Sequence, residues 1–234
     1  MNSDYEQTLD KNFNKALELC SNSYSNEDLI EFLKTGNIAE KQFASLEINE
    51  LNSQEEAKVF LSNLINCDGK IREAVAQKFS EFVQIKKYAE YFSAYPEILA
   101  KSTIDINANI SRMVIEGLSL MSEYSEFGRV YAARLKDYIF EAFDGLDKIV
   151  FRDKKYTVNK QMFKLYWCLE GLKNYWKYLD ETELYNILNR TSSEGEYTVR
   201  EKSAQILKYQ TSDIFNSLKA RLKDDENYYV RKIF

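Results

Sequence analysis

The side chains that most often carry catalysis are sparse in this chain. It has no histidine among 234 residues and only three cysteines, Cys20, Cys67 and Cys168. Without imidazole there is no Ser-His-Asp or Cys-His nucleophile system, no histidine general base and no His-ligated zinc, copper or di-iron centre. The cysteines are odd in number and far apart, with no CxxC spacing. They read as buried thiols in a reducing cytosol, not as a metal cluster or a disulfide framework. No GxGxxG or Walker sequence offers a phosphate cradle. Carboxylates abound, but Asp144 with Asp147 and Glu55 with Glu56 read as solvated helix faces, and Asp224-Asp225-Glu226 lacks the regular oxygen offsets of a calcium loop. No catalytic residue, metal or cofactor is expected.

The strongest chemical signal is a basic, aromatic segment. Residues 129–177 hold 11 bases and 6 acids, interleaved with tyrosine, phenylalanine and tryptophan. Its candidate binding residues are Arg152, Lys154, Lys155, Lys160, Tyr166, Trp167, Tyr175 and Trp176. Lysines beside accessible rings can track a phosphate backbone and stack bases. The competing reading makes the rings core and the lysines a solvated rim. A formal charge of -5 and a pI near 5.1 weigh against nucleic acid. That charge is uneven: residues 1–67 carry 12 acids and 5 bases, so the remaining 167 positions are slightly basic.

The elements that must position these residues are helices. Seven glycines and one proline are too few for the turns of a many-stranded β fold. Apolar residues recur at three- and four-residue spacings, as in Phe13, Leu17 and Cys20, or Leu135, Ile139 and Phe143. Ser53 to Glu56 and Asp180 to Glu183 have capping-box spacing. Gly36, Gly69, Gly128, Gly145 and Gly195 mark stops, and Pro96 opens a short helix. The acidic, polar amino terminus is unlike a signal peptide, and no apolar run is long enough to span a bilayer, so a cytoplasmic protein is expected.

A local pattern recurs along the chain. A polar residue near a turn precedes a β-branched residue that enters a helix, with apolar residues five and eight positions on. The anchors are Ile38, Ile71, Ile110, Val158, Val199 and Val230, separated by 33, 39, 48, 41 and 31 residues. Arginine follows the anchor at Arg72, Arg200 and Arg231. In Glu196-Tyr197-Thr198-Val199-Arg200, Asn227-Tyr228-Tyr229-Val230-Arg231 and Asp68-Gly69-Lys70-Ile71-Arg72 the chain resembles the HEAT-repeat (armadillo-like) superfamily. Arg112 stands one place late and Asn159 replaces the arginine in the two middle units. The resemblance implies an all-α, right-handed α-solenoid of about five to six antiparallel helix pairs, with a capping helix in residues 1–24 and a repeat array over 25–234. It also implies that the second helices line a concave binding face, and that the Val-Arg arginines meet carboxylates of the adjacent repeat.

Two functional readings follow. The first is a non-enzymatic scaffold gripping a protein or peptide partner. The second is a nucleic-acid binder resembling the HEAT-like alkylpurine DNA glycosylases, for which Trp167, Trp176 and Asp180 are residues of the right type. HEAT-like di-iron hydroxylases are excluded by the missing histidine.

Overall fold

The computed structural model describes residues 13–149 and 155–234. All regular structure among them is helical, and none of their helices is long and apolar enough to cross a membrane. The chain divides into two compact units, Met1–Met121 and Ser122–Phe234.

In the first unit, α1 covers 13–20 and is followed by α2 (Asn26–Thr35), α3 (Ile38–Glu47), α4 (Gln54–Ser62), α5 (Gly69–Phe82), α6 (Lys86–Phe92), α7 (Pro96–Thr103) and α8 (Ala108–Ser119). The short turn at Gly36 and Asn37 folds α3 back on α2, and α7 packs on α8 in the same way. First helices then stack on first helices, α2 on α4 and α4 on α6 and α7, while α3, α5 and α8 form the second layer. Each pair has an apolar stripe on both helices, and stacking the next pair is what removes both from water. Phe60, Phe79 and Phe92 are fully buried between the layers, with ring centroids 5.2 to 6.1 Å apart. Among the packed side chains, a carboxamide does the joining: Asn63 Nδ2 donates to the carbonyls of Leu33 at 3.0 Å and Val59 at 2.9 Å, tying the end of α2 to α4.

The second unit repeats the scheme with α9 (Ser125–Asp147), α10 (Lys155–Leu172), α11 (Glu181–Thr191), α12 (Tyr197–Leu207), α13 (Asn216–Lys223) and α14 (Tyr228–Arg231), plus single 3₁₀ turns at Trp176–Tyr178 and Asp213–Phe215. Here α10, α12 and α14 pack side by side as the second layer. Between the first helices, Arg190 of α11 forks onto Asp147 of α9 at 2.6 and 3.0 Å and lies over the Phe143 ring.

Several expectations change. The Leu135, Ile139 and Phe143 stripe is buried, but in α1 Phe13, Leu17 and Cys20 are exposed and Leu19 alone of the described apolar side chains is enclosed. Gly128 and Gly145 do not stop helices; both lie inside α9, Gly128 where the Tyr178 ring comes too close for a side chain. Gly36 does end α2, whereas Gly69 opens α5. Of the three thiols, only Cys168 is fully enclosed; Cys67 is half-buried. Burial pushes the Cys168 thiol well above the ordinary cysteine range.

Two outcomes are expected. A Cβ at Gly128 would lie 2.2 Å from the Tyr178 ring, whose hydroxyl is pinned to the Ser122 carbonyl at 2.8 Å, while a Cβ at Gly69 meets nothing within 4 Å. Gly128→Ala should therefore destabilise the protein by about 2 kcal/mol despite alanine's better helix propensity, and Gly69→Ala should not, as read by urea denaturation. A thiol reagent should modify Cys20 quickly in the native protein and Cys168 only on unfolding; equal rates would contradict the burial described.

Candidate functional site

The repeated polar feature lies at the turns that begin the second helices. In α5, α8, α12 and α14 the N-cap residues Asp68, Asn107, Glu196 and Asn227 each accept from the backbone N–H two residues on. This places Ile71, Ile110, Val199 and Val230 at the third helical position, where each is at most 2% exposed. The anchor of α3 breaks the register. Asn37 accepts instead from Glu40 N–H in a capping box, so the third position is Glu40, and Ile38 sits at the first position with 42% exposure. In α10 Val158 is the fourth residue and is half-buried.

The residue after the anchor closes a clasp. Arg72 Nε and Nη2 donate to Asp105 Oδ2 and Oδ1 at 2.7 and 3.2 Å, and its Nη1 donates to the Cys67 carbonyl. Arg200 does the same to Asp225 at 2.7 and 3.0 Å, with Nη1 on the Glu194 and Gly195 carbonyls. Both aspartates belong to the turn before the next second helix, and both accept a backbone N–H from an asparagine two residues on, Asn107 or Asn227, at 2.8 Å. The carbonyls of the same aspartates are held from within their own repeat, by Ser111 Oγ and by Arg231 Nη1. Arg231 thus secures its own turn, while Arg72 and Arg200 each join one pair to the next. The paired Arg200 guanidinium holds the Asp225 carboxyl below the usual carboxylate range, and Asp225 raises Arg200 in return.

The basic, aromatic segment is distributed otherwise than a continuous groove. Arg152 and Lys154 lie outside the described residues, as does the side chain of Lys155. Lys160 is exposed on α10, about 20 Å along the helix from its carboxyl end. Trp167 and Tyr175 are buried in the core, so neither can stack on a partner; Tyr175 is enclosed by Phe127 and Tyr131. Trp167 Nε1 meets no acceptor among the described residues. Six of the basic residues face carboxylates of their own unit: Arg129 with Glu126, Arg134 with Asp137, Lys136 with Glu183, Lys164 with Glu141, Lys173 with Glu170 and Lys177 with Glu123.

Tyr166 and Trp176 stand beside a cluster of charged groups shared by α10 and α12. Lys202 of α12 reaches across to Glu170 of α10 at 2.7 Å with its ammonium over the Tyr166 ring, and Lys173 meets the other Glu170 oxygen at 2.6 Å. Burial alone would raise Glu170, but the two ammonium groups outweigh it and hold the carboxyl below its usual range. Burial also opposes the charge on Lys202, and Glu170 overcomes it. Beside this buried cluster an open cleft of about 450 Å³ is lined by Lys173, Asn174, Trp176, Gln205, Lys208, Tyr209 and Ile233. Gln205 Nε2 points to Glu201 Oε1 at 3.4 Å, which leaves Gln205 Oε1 buried in the cleft wall with no donor among the described residues. Lys208, Tyr209 and Gln205 carry no repeat signature; only their position at the end of an amphipathic helix hinted at a surface role.

No family model matches the chain, and no curated protein sequence matches it. Among solved structures it is similar to an engineered protein, with a TM-score of 0.49 and 12% identity over 90% of this chain and 94% of the other. It is also similar to an archaeal HEAT-like repeats protein from Thermococcus onnurineus NA1, with a TM-score of 0.49 and 10% identity over 91% of this chain and 78% of that one. The chain's own geometry, helix pairs stacked layer on layer with an Arg–Asp clasp between turns, is an all-α, HEAT-like repeat fold.

Asp225→Ala removes the forked partner of the buried Arg200 guanidinium, leaving it only Glu226 at 3.5 Å as a carboxylate, and should cost about 3 kcal/mol in chemical denaturation. Because the folded pKa of Asp225 is depressed, its contribution is complete above the unfolded value of about 3.9 and is lost as the pH falls through the folded value. Asp225→Asn should accordingly flatten the acid limb of the stability curve; an unchanged limb would show that the clasp does not contribute.

Proposed function

We propose that the chain is a non-enzymatic, cytoplasmic interaction scaffold that holds a protein or peptide partner on the second-helix side of its carboxyl-terminal unit. The observation that carries this reading is the fate of the basic segment. Of the eight lysines and arginines of residues 129–177 whose side chains are described, six face neighbouring carboxylates, which makes the described surface there mixed in sign, with a cleft beside it. Affinity for nucleic acid comes mainly from uncompensated positive charge, and a surface of alternating sign supplies little of it. A mixed surface with accessible rings is what protein interfaces use. The freely exposed Cys20 thiol suits a reducing compartment. Trp167, one of the residues the glycosylase-like reading would need, is enclosed in the core.

Affinity purification of the full chain from its native lysate, with and without nuclease, tests the reading. A protein partner should be recovered in stoichiometric amount and survive nuclease treatment. Recovery of nucleic acid with no protein, bound in a strongly salt-dependent way, would overturn it.

A further inference from the structure

Three consecutive second helices end side by side. α10, α12 and α14 are each followed at once by lysine, at Lys173, Lys208 and Lys232. Lysine at such ends is favoured by the negative pole of each helix. The row lies against rings: Trp176 and Tyr209 line the cleft with Lys173 and Lys208, and Lys232 stands 4.4 Å over Tyr229. Tyr209 is 64% exposed, so its ring is accessible from the cleft. Behind the row, Glu170 is shared between Lys173 and Lys202, so that cluster retains an excess positive charge.

Resting on the scaffold reading, we infer that this cleft recognises an extended acidic peptide segment of the partner, its carboxylates meeting Lys173 and Lys208 and an apolar side chain lying against Trp176 and Tyr209. Packed helices stand about 8–10 Å apart, and an extended chain advances about 3.3 Å per residue, so acidic residues three apart match neighbouring lysines. The cleft volume of about 450 Å³ is that of a ligand site, which runs from about 300 to 1,000 Å³. The excess positive charge of the row calls for a negatively charged occupant, and the scaffold reading makes that occupant a peptide.

The test uses the full chain and a phage-displayed library of random twelve-residue peptides as the probe. Enriched peptides should carry net negative charge with acidic residues spaced by three around an aliphatic or aromatic residue. Their synthetic versions should lose about tenfold or more in affinity on Lys208→Glu or Trp176→Ala, the loss expected of an interface hot spot. Both surface variants should keep the parent circular dichroism and melting temperature. Enrichment of neutral or basic peptides, no enrichment, equal binding to the variants, or displacement of the peptides by a twenty-nucleotide single-stranded RNA at equal concentration would each overturn the inference. If the Lys208→Glu, Trp176→Ala double variant still recovers the stoichiometric partner from lysate, this cleft is not the docking site and the scaffold reading stands. If no partner is recovered even by the parent chain, the scaffold reading itself fails.

Discussion

Two of the steps from one helix pair to the next are fixed by an arginine that leaves one repeat and is closed by an aspartate of the next. Apolar burial drives the helices together but has no direction, and two striped cylinders can slide along each other at little cost. A guanidinium forked onto a carboxylate does not slide. Arg72 with Asp105 and Arg200 with Asp225 meet in the same two-point geometry, and in both cases the arginine also holds the carbonyls of the turn it comes from. Each clasp therefore sets the translation and rotation of one pair relative to its neighbour, while the phenylalanines and leucines between the layers supply the affinity. Such enclosed charges are tolerable because each guanidinium is forked onto a carboxylate and also bonded to carbonyls of its own turn.

Legibility of the chain follows from this division of labour. The turns preceding α5, α12 and α14 carried their signature openly, because a clasp needs an oxygen-bearing cap, a branched anchor at the third helical position and then arginine. Where the cap bonds differently the reading lost its register. In α3, Glu40 takes the place an anchor would occupy, since a capping box competes for the same position, and Ile38 was left facing water. Glycines misled for a related reason. Gly128 and Gly145 read as helix stops, yet both sit within α9, and at Gly128 the Tyr178 ring of a later segment fills the space a Cβ would need. That requirement is set by tertiary contact and leaves no local mark.

The candidate site was half visible. Composition singled out the stretch that contains Trp176 and Tyr166, but it could not say which rings face inward. Trp167 and Tyr166 are neighbours on one helix and differ only in their angle around it, and that angle puts the indole in the core and the phenol beneath a lysine ammonium. The other side of the cleft comes from Gln205, Lys208 and Tyr209, thirty residues further on, which meet Trp176 only because α10 and α12 end together. A basic count over a window also hides pairing. The carboxylates that neutralise the segment include Glu123, Glu126 and Glu183, which lie outside the window in sequence and beside it in space.

The order of residues within the clasp has a bearing on synthesis. In each case the arginine precedes its aspartate, by 33 residues for Arg72 and by 25 for Arg200. A chain emerging from the ribosome presents the guanidinium first, already bound to the carbonyls of its own turn, and the carboxylate arrives only when the following turn has been made. At these two junctions the earlier repeat thus offers its arginine before the aspartate that closes it has been made.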